Sequence, residues 1–164
     1  SSRFLEYRIV EAAGISSAKT IVELGPGCGG TTRAILRSMA PHARLLSIEI
    51  NTHFHALVSR IGDNRLIAHL GNAQGLNEII SMYGLGAPDV VISGIPFSTM
   101  SHISGTQILE AITSALAPGG RFVAYQVSKR VASLSLPFLG PGYVEVEFLN
   151  IPPMRVYRWE KNRT

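Results

Sequence analysis

The sequence predicts an α/β protein with a mainly parallel seven-stranded sheet, an antiparallel C-terminal hairpin strand and helices on both faces. Short apolar runs alternate with amphipathic segments for most of the chain, as in strand–helix–strand units. Near the end, two strand-like runs follow each other with no helix between them, which predicts the antiparallel hairpin. With 164 residues, 46% of them apolar and 16% charged, we expect one domain over residues 1–164.

The first half of the chain begins with a helix and contains three strands. Residues 4–13 carry apolar side chains at helical spacing, and Gly14 closes this helix. Residues 19–24 form a short apolar run that predicts a buried strand, and a helix over residues 31–39 stops before Pro41. The elements that follow are a strand at 44–50, a helix at 52–61 and a strand at 65–70.

The second half supplies the remaining four strands. Residues 73–83 predict a helix despite Gly75, and residues 88–93 are a compact run typical of a strand buried on both faces. A long amphipathic helix over residues 101–116 is closed by a Pro-Gly-Gly turn. The other segments are a strand at 121–127, a stretch at 128–139 whose pattern does not decide its structure, a half-exposed strand at 143–149 and its partner at 154–159.

A glycine-rich turn after the first strand is the strongest indication of a ligand site. Glycines there let a ligand approach the backbone, and the following helix offers unpaired N–H groups. Gly25-x-Gly27-x-x-Gly30, with Glu49 nineteen residues later, matches the dinucleotide fingerprint and makes NAD one alternative. Glu23 argues against NAD, because its carboxylate would repel a pyrophosphate and suits a cationic ligand.

Together with Asn72 and the Pro118-Gly119-Gly120 turn, these residues resemble the class I S-adenosylmethionine-dependent methyltransferases. The resemblance runs in order over nearly the whole chain. It implies a Rossmann-like fold, S-adenosyl-L-methionine as cofactor and S-adenosyl-L-homocysteine as product. It also implies that Glu23 and the glycines hold the methionine end, Glu49 the ribose hydroxyls and Asn72 the adenine amino group. The expected cofactor-binding residues are Glu23, Gly25, Pro26, Gly27, Gly29, Glu49, Ile50, Asn72, Ala73 and Ser93.

The methyl acceptor is suggested by residues 93–98, which follow the fourth strand. They resemble the Asn-x-Pro-aromatic motif of adenine-N6 methyltransferases, including the ribosomal RNA adenine dimethylases. Gly94 stands where that motif has its asparagine, and a glycine has no side chain to bind an adenine amine. This departure counts against base methylation.

Residues 93–97, 119–125 and 150–158 are together similar to the bacterial phospholipid N-methyltransferases. That resemblance implies N-methylation of the phosphatidylethanolamine head group at a membrane surface, with an amphipathic N-terminal helix that helps docking. The alternatives are an RNA (rRNA) adenine-N6 methyltransferase and a non-catalytic S-adenosylmethionine-binding module. Because the chain starts with Ser1 rather than Met, we expect an N-terminal piece to be missing.

Catalysis requires a group that receives a proton, since a primary ammonium must become a neutral amine before it attacks a methyl group. The candidates for that group near the fourth and fifth strand ends are His102 and Tyr125, with Ser98 as a weaker one. The residues predicted to be catalytic are Tyr125, His102, Ser93 and Pro96. The histidines lie on separate elements or at spacings that do not suit a metal, so no metal site is predicted.

The charge distribution indicates an anionic partner. Residues 1–119 hold eight basic and eight acidic residues, whereas residues 120–164 hold seven against three. This basic quarter, interleaved with Tyr125, Tyr143, Tyr157 and Trp159, suits an anionic phospholipid membrane, with RNA as the alternative. Residues 134–139 form a greasy segment that either rests at the lipid interface or packs on the core.

The expected location is cytoplasmic, with peripheral attachment to the inner face of the cell membrane. No apolar run reaches the length of about 18 residues that a membrane span needs. The single Cys28 fits a reducing compartment. We expect a monomer.

Overall fold

The computed structural model describes residues 2–164, and within this range seven strands form one sheet. All neighbouring strands are parallel except at the seventh strand, which runs antiparallel to both of its neighbours. The fold class predicted from the sequence is therefore confirmed. The strands are β1 (Thr20–Leu24), β2 (Arg44–Glu49), β3 (Leu66–Leu70), β4 (Val90–Ser93), β5 (Arg121–Gln126), β6 (Tyr143–Glu147) and β7 (Met154–Glu160).

The strand order is β3-β2-β1-β4-β5-β7-β6. The hairpin places β7 inside the sheet, between β5 and the edge strand β6, so the antiparallel strand is not the edge. The order of the parallel strands reverses between β1 and β4. A crevice opens outside the carboxyl ends of the strands at such a switch point.

Six α-helices cover the sheet in the described part of the chain. They are α1 (Arg3–Ala13), α2 (Gly30–Ser38), α3 (Thr52–Ser59), α4 (Leu76–Met82), α5 (His102–Ala115) and α6 (Arg130–Leu139). Apolar side chains of α1 and α2 pack on one face of the sheet, and those of α4, α5 and α6 pack on the other. Since both faces are covered, the central strands are buried on both sides, which explains their continuous apolar runs.

The greasy segment at 134–139 belongs to α6, which packs on the core. Val131 and Leu134 are buried beside α5, and Leu136 is exposed. Of the two readings of this segment, packing on the core is the one the structure supports.

The expectation that Tyr157 and Trp159 belong to a membrane-facing aromatic surface is wrong. Both side chains are buried, and the Trp159 ring stacks on Phe122 with ring centroids 5.1 Å apart. The reason is the position of β7, an interior strand covered by helices on both faces. Of the aromatic residues on β6 and β7, Tyr143 is exposed, and its ring lies beneath the Arg158 guanidinium.

None of the helices in residues 2–164 has both the length and the apolar character that a membrane span requires.

Candidate functional site

A cavity of about 330 Å³ opens at the carboxyl ends of β1, β2 and β4, at the switch point of the sheet. This volume lies in the range of small-molecule sites. Six residues predicted to bind the cofactor line this cavity: Gly25, Gly27, Glu49, Ile50, Asn72 and Ala73. Pro96, which was predicted to be catalytic, lines it as well.

The glycine turn between β1 and α2 forms one wall of the cavity. Gly25 and Gly27 have φ angles of +70° and +56°, which side-chain-bearing residues rarely adopt. A Cβ atom on Gly25 would lie 3.1 Å from Ile95 Cγ1, so the turn also packs tightly against the segment after β4. The Gly25 N–H donates to Ile48 O at 2.9 Å, which fixes the turn to the end of β2.

Glu49 ends β2 and faces the same cavity. Its Oε1 accepts from the Gly27 N–H at 3.1 Å, and its Oε2 accepts from the Asn51 N–H at 2.9 Å. A carboxylate has about four acceptor positions, so one bond to each oxygen leaves capacity for ligand hydroxyls. The side chain is thus both a strut for the glycine turn and an available acceptor.

Glu23 is fully buried and lies behind the cavity rather than in its lining. Its Oε1 accepts from Thr32 Oγ1 at 2.6 Å and from Ser47 Oγ at 3.0 Å, while Oε2 has no hydrogen-bond partner among the described residues. Burial raises the pKa of this carboxyl from 4.5 to about 7; the two hydroxyl bonds oppose the rise, and the charge of Glu49 adds to it. Because Glu23 Oε2 has no partner among the described residues, the role of Glu23 in holding a cationic ligand stays a prediction.

The other predicted cofactor residues have local structural contacts. Asn72 lines the cavity, and its Oδ1 accepts from the Gln74 N–H at 2.8 Å, which caps a 3₁₀ turn and leaves the amide NH₂ group unused. Ser93 is buried behind the lining, and its Oγ accepts from the Ile95 N–H at 3.2 Å. Pro26 and Gly29 belong to the turn but not to the lining, and Pro26 O accepts from the Gly29 N–H at 3.1 Å.

Tyr125 fills the space beside Gly94. A Cβ atom at position 94 would overlap the Tyr125 hydroxyl and would lie 2.6 Å from Tyr125 Cζ and 3.0 Å from Gly25 O. Burial and, secondarily, the charge of Glu23 raise the pKa of the Tyr125 phenol well above its usual range, although a hydrogen bond with Thr31 lowers it. The phenol therefore stays protonated and uncharged at neutral pH.

Gln126 is a site residue that the sequence analysis missed. This buried side chain ends β5, donates from Nε2 to Ile95 O at 2.6 Å, and accepts at Oε1 from the Phe97 N–H at 3.2 Å. It thereby holds the turn that contains Pro96. A polar residue at the end of an otherwise apolar strand was the available signal.

Several other lining residues were not predicted. Asn51 and Phe54 come from the start of α3, where Asn51 Oδ1 accepts from the Phe54 N–H at 3.0 Å as a helix cap. The Asn-Thr-His-Phe pattern after Glu49 was a usable signal for that cap. The remaining unpredicted members are Ile48, Gly71, Gly94, Ile95, Met100 and Ile108.

The predicted catalytic residues are only partly brought together. Pro96 lines the cavity, and Ser93 and Tyr125 lie directly behind its wall. His102 is exposed at the start of α5 and is absent from the lining. Among residues 2–164, no cluster of three or more His, Cys, Asp or Glu side chains is arranged to hold a metal ion.

Comparisons with known proteins agree with this architecture. No family model matches the chain. An ornithine lipid N-methyltransferase from Singulisphaera acidiphila is 27% identical over 124 residues, which cover 74% of this chain and 65% of the relative. A ribosomal RNA small subunit methyltransferase A from Maricaulis maris is 34% identical over 108 residues, which cover 64% of this chain and 35% of the relative.

Among solved structures, N-methyltransferase NodS from Bradyrhizobium japonicum WM9, in complex with S-adenosyl-L-homocysteine, superposes with a TM-score of 0.76 at 12% identity. The match covers 97% of this chain and 86% of that one. The chain thus has the Rossmann-like class I methyltransferase fold. It spans less than two thirds of the length of either sequence relative.

Proposed function

We propose that this chain is an S-adenosyl-L-methionine-dependent N-methyltransferase that methylates the primary amine of a membrane lipid head group. Phosphatidylethanolamine is the head group that the sequence resemblance implies, and ornithine lipid is the substrate named for one relative. Both present a primary amine on a flexible, polar head group. The fold, the cavity and the comparisons support the cofactor, and the structure around Gly94 supports this class of acceptor.

The residues around the cavity fit the cofactor. The Gly25–Gly27 turn brings backbone close to the cavity without side chains in the way, beside the place proposed for the methionine end. Glu49 would accept from the ribose hydroxyls, and Asn72 would contact the adenine. When bound, S-adenosyl-L-methionine supplies a methyl group activated by a positively charged sulfonium. The Glu49 carboxylate in the cavity lining complements a positively charged ligand, and the Glu23 carboxyl behind the lining does so in its ionised form.

The observation that carries the choice of acceptor is the occupied space at position 94. An adenine-binding asparagine at this position would need room for its Cβ, and the Tyr125 phenol and the Gly25 carbonyl already take that room. The phenol is not free to swing away, because the half-buried Tyr125 side chain packs against the core and is hydrogen-bonded to Thr31. The Tyr125 hydroxyl occupies the space that a side chain at position 94 would take, and a small, mobile amine can approach this hydroxyl.

We assign Tyr125 the task of orienting that amine. A neutral phenol oxygen accepts a hydrogen bond from an amine N–H, but a phenol with a raised pKa does not remove a proton at neutral pH. His102 is exposed at the start of α5 and outside the cavity lining, so we propose it as proton acceptor only for the ammonium that has not yet entered the site. The site's contribution is then the alignment of the amine beside the Tyr125 hydroxyl.

Methyl transfer from labelled S-adenosyl-L-methionine tests this proposal. The acceptors are phosphatidylethanolamine and ornithine lipid, each dispersed in detergent, and small-subunit ribosomal RNA. We expect label in lipid, and the two lipid arms identify the head group. Label in RNA alone overturns the proposal. Tyr125→Phe should lower kcat/KM by about tenfold, the loss of one hydrogen bond in the transition state, whereas Tyr83→Phe, which lies at the other edge of the sheet, should not.

Methylation of ribosomal RNA is the second candidate, because the 34% identical relative is named a ribosomal RNA small subunit methyltransferase. Adenine N6 is the target that the resemblance of residues 93–98 implies. It predicts label in adenine N6 and no label in lipid. Tight binding of S-adenosyl-L-homocysteine without transfer in any arm would instead identify a non-catalytic cofactor-binding module.

A further inference from the structure

The tip of the β6–β7 hairpin exposes a group of large apolar side chains. Phe148 is 75% exposed, Leu149 is 65% exposed and Ile151 is 95% exposed. Pro152 and Pro153 continue the exposed segment. Isolated exposed apolar residues are ordinary, but several adjacent ones on a six-residue tip mark an interaction surface.

The N-terminal turn of α1 lies against this tip. The Ser2 N–H donates to Asn150 Oδ1 at 3.1 Å. Phe4 and Tyr7 are exposed on the same helix, and they line a groove of about 500 Å³ together with Leu149. Phe148, Leu149, Ile151, Phe4 and Tyr7 therefore form one surface, here called the hairpin-tip patch.

The hairpin-tip patch lies at the edge of the sheet that holds the cofactor cavity. Gln126 pairs with Arg155 and Glu147 pairs with Met154, so the tip begins where β5 ends. Because β1, β4 and β5 are parallel, their carboxyl ends share that edge. A flat partner surface that touches the tip would therefore lie on the same side of the protein as the cavity opening.

The tip is held in place by buried and charged contacts. Glu147 Oε2 accepts from the Leu149 N–H at 2.9 Å, and its Oε1 accepts from Arg8 Nε at 2.8 Å. Arg8 also pairs with Glu145, so one guanidinium joins α1 to β6. The apolar side chains are therefore presented by an anchored backbone, which keeps the entropy cost of docking low.

Basic side chains surround the patch. Arg3 precedes Phe4 and is exposed, and Lys129 is exposed just after β5. Arg155 is the second residue of β7, and its guanidinium donates to Val127 O. Arg8 pairs with both Glu145 and Glu147, which leaves that cluster with one negative charge against the three positive charges of Arg3, Lys129 and Arg155. The rim is therefore complementary to negative charge, and apolar side chains inside a basic rim match an anionic bilayer surface.

We propose that the hairpin-tip patch inserts into the interface of an anionic lipid bilayer and turns the cofactor cavity toward the head groups. This inference rests on the proposed function, since it supplies the route by which a lipid amine reaches the site. It moves the docking surface away from residues 134–139, whose helix packs on the core. Phe4, Tyr7 and Phe148 carry rings that a nucleic-acid base could stack on, whereas Leu149 and the 95% exposed Ile151 do not. This aliphatic part of the tip favours lipid over RNA, which is bound by stacking rings and long basic stripes.

Vesicle sedimentation tests the proposal with the whole chain. The vesicles are equal parts phosphatidylglycerol and phosphatidylcholine, with phosphatidylcholine alone for comparison. We expect binding to the anionic vesicles, and Phe148→Asp and Ile151→Asp should each weaken it by roughly tenfold or more. Met82→Asp is the matched control, because Met82 is 66% exposed at the opposite edge of the sheet, and it should bind like the unmodified chain.

The basic rim has its own matched pair. Lys129→Ala should weaken binding about fivefold at low salt. Arg44→Ala should leave binding unchanged, because Arg44 is exposed at the amino end of β2 and the patch lies near the carboxyl ends of the parallel strands. Thermal unfolding verifies that each variant is folded.

The proposal is overturned if the unmodified chain does not bind anionic vesicles, or if Met82→Asp loses as much binding as Ile151→Asp. It is also overturned if Ile151→Asp lowers affinity for ribosomal RNA as much as for vesicles. Transfer to detergent-dispersed lipid separates the two hypotheses. Ile151→Asp should still methylate detergent-dispersed lipid. If the unmodified chain does not methylate it, the proposed function is refuted, and vesicle binding alone then tests the docking surface.

Discussion

Replacing Glu23 with glutamine should stabilise the protein, and by an amount that grows with pH. The buried carboxyl has its pKa raised from 4.5 to about 7, mainly by burial. Between these pH values the folded chain keeps a proton that the unfolded chain has released, so unfolding becomes easier as the pH rises. The shift corresponds to about 3 kcal/mol of unfolding free energy, fully lost above pH 7. Glutamine has no charge to bury and retains an oxygen for Thr32 and Ser47.

Urea unfolding of the unmodified chain and of Glu23→Gln at a series of pH values from about 4 to 8 measures this effect. The difference in unfolding free energy should change by about 3 kcal/mol in favour of the variant across the series. Glu78→Gln, an exposed carboxyl on α4, should show no comparable change. A difference between Glu23→Gln and the unmodified chain that does not vary with pH would refute the reasoning, because it would mean that Glu23 titrates alike in the folded and unfolded states.

Three further changes test the site and its surroundings. Glu49→Ala should weaken S-adenosyl-L-homocysteine binding by roughly tenfold or more in calorimetry, since it removes an acceptor at the cavity wall, and Glu78→Ala, on a surface away from the cavity, should not. Gln126→Leu should lower the unfolding free energy by about 1–3 kcal/mol, because it leaves the buried Phe97 N–H without its acceptor; an unchanged urea midpoint would contradict this. Asp63→Asn should lose the stabilisation from Arg65, which lowers the Asp63 pKa from 3.8 to about 2. The unmodified chain should lose that same stabilisation as the pH falls from 3.8 to about 2. The unfolding free energies of the unmodified chain and of Asp63→Asn, measured in urea, should therefore become equal in acid.

The fold followed from the sequence because its signals are local. Gly14 does end α1 in a left-handed conformation, and the apolar run before the glycine turn does form β1. The stretch at 128–139 was undecided because Pro137 sits inside a helix that packing on α5 stabilises. Tyr157 and Trp159 were misplaced for a related reason: alternation along one strand does not reveal whether a second layer covers its other face.

The cavity lining was predictable wherever a residue directly follows a parallel strand. Glu49 ends such a strand, Gly25, Gly27 and Asn72 lie one to three residues beyond one, and the carboxyl ends of parallel strands meet at one edge. Gln126 follows the same rule, but its function depends on a turn about thirty residues earlier in the chain.

By itself, the sequence determined the order of strands and helices and the edge at which a cofactor would lie, because hydrophobic period and glycine position act over a few residues. Only the tertiary structure decided that Tyr125 occupies the space of a side chain at position 94, since that contact requires β4 and β5 to be neighbours. Likewise, only packing showed that residues 134–139 cover the core while residues 148–151 remain exposed beside the N-terminus of α1. The glycine turn therefore indicates the cofactor, whereas the proposals for the acceptor and for the docking surface rest on contacts between distant segments.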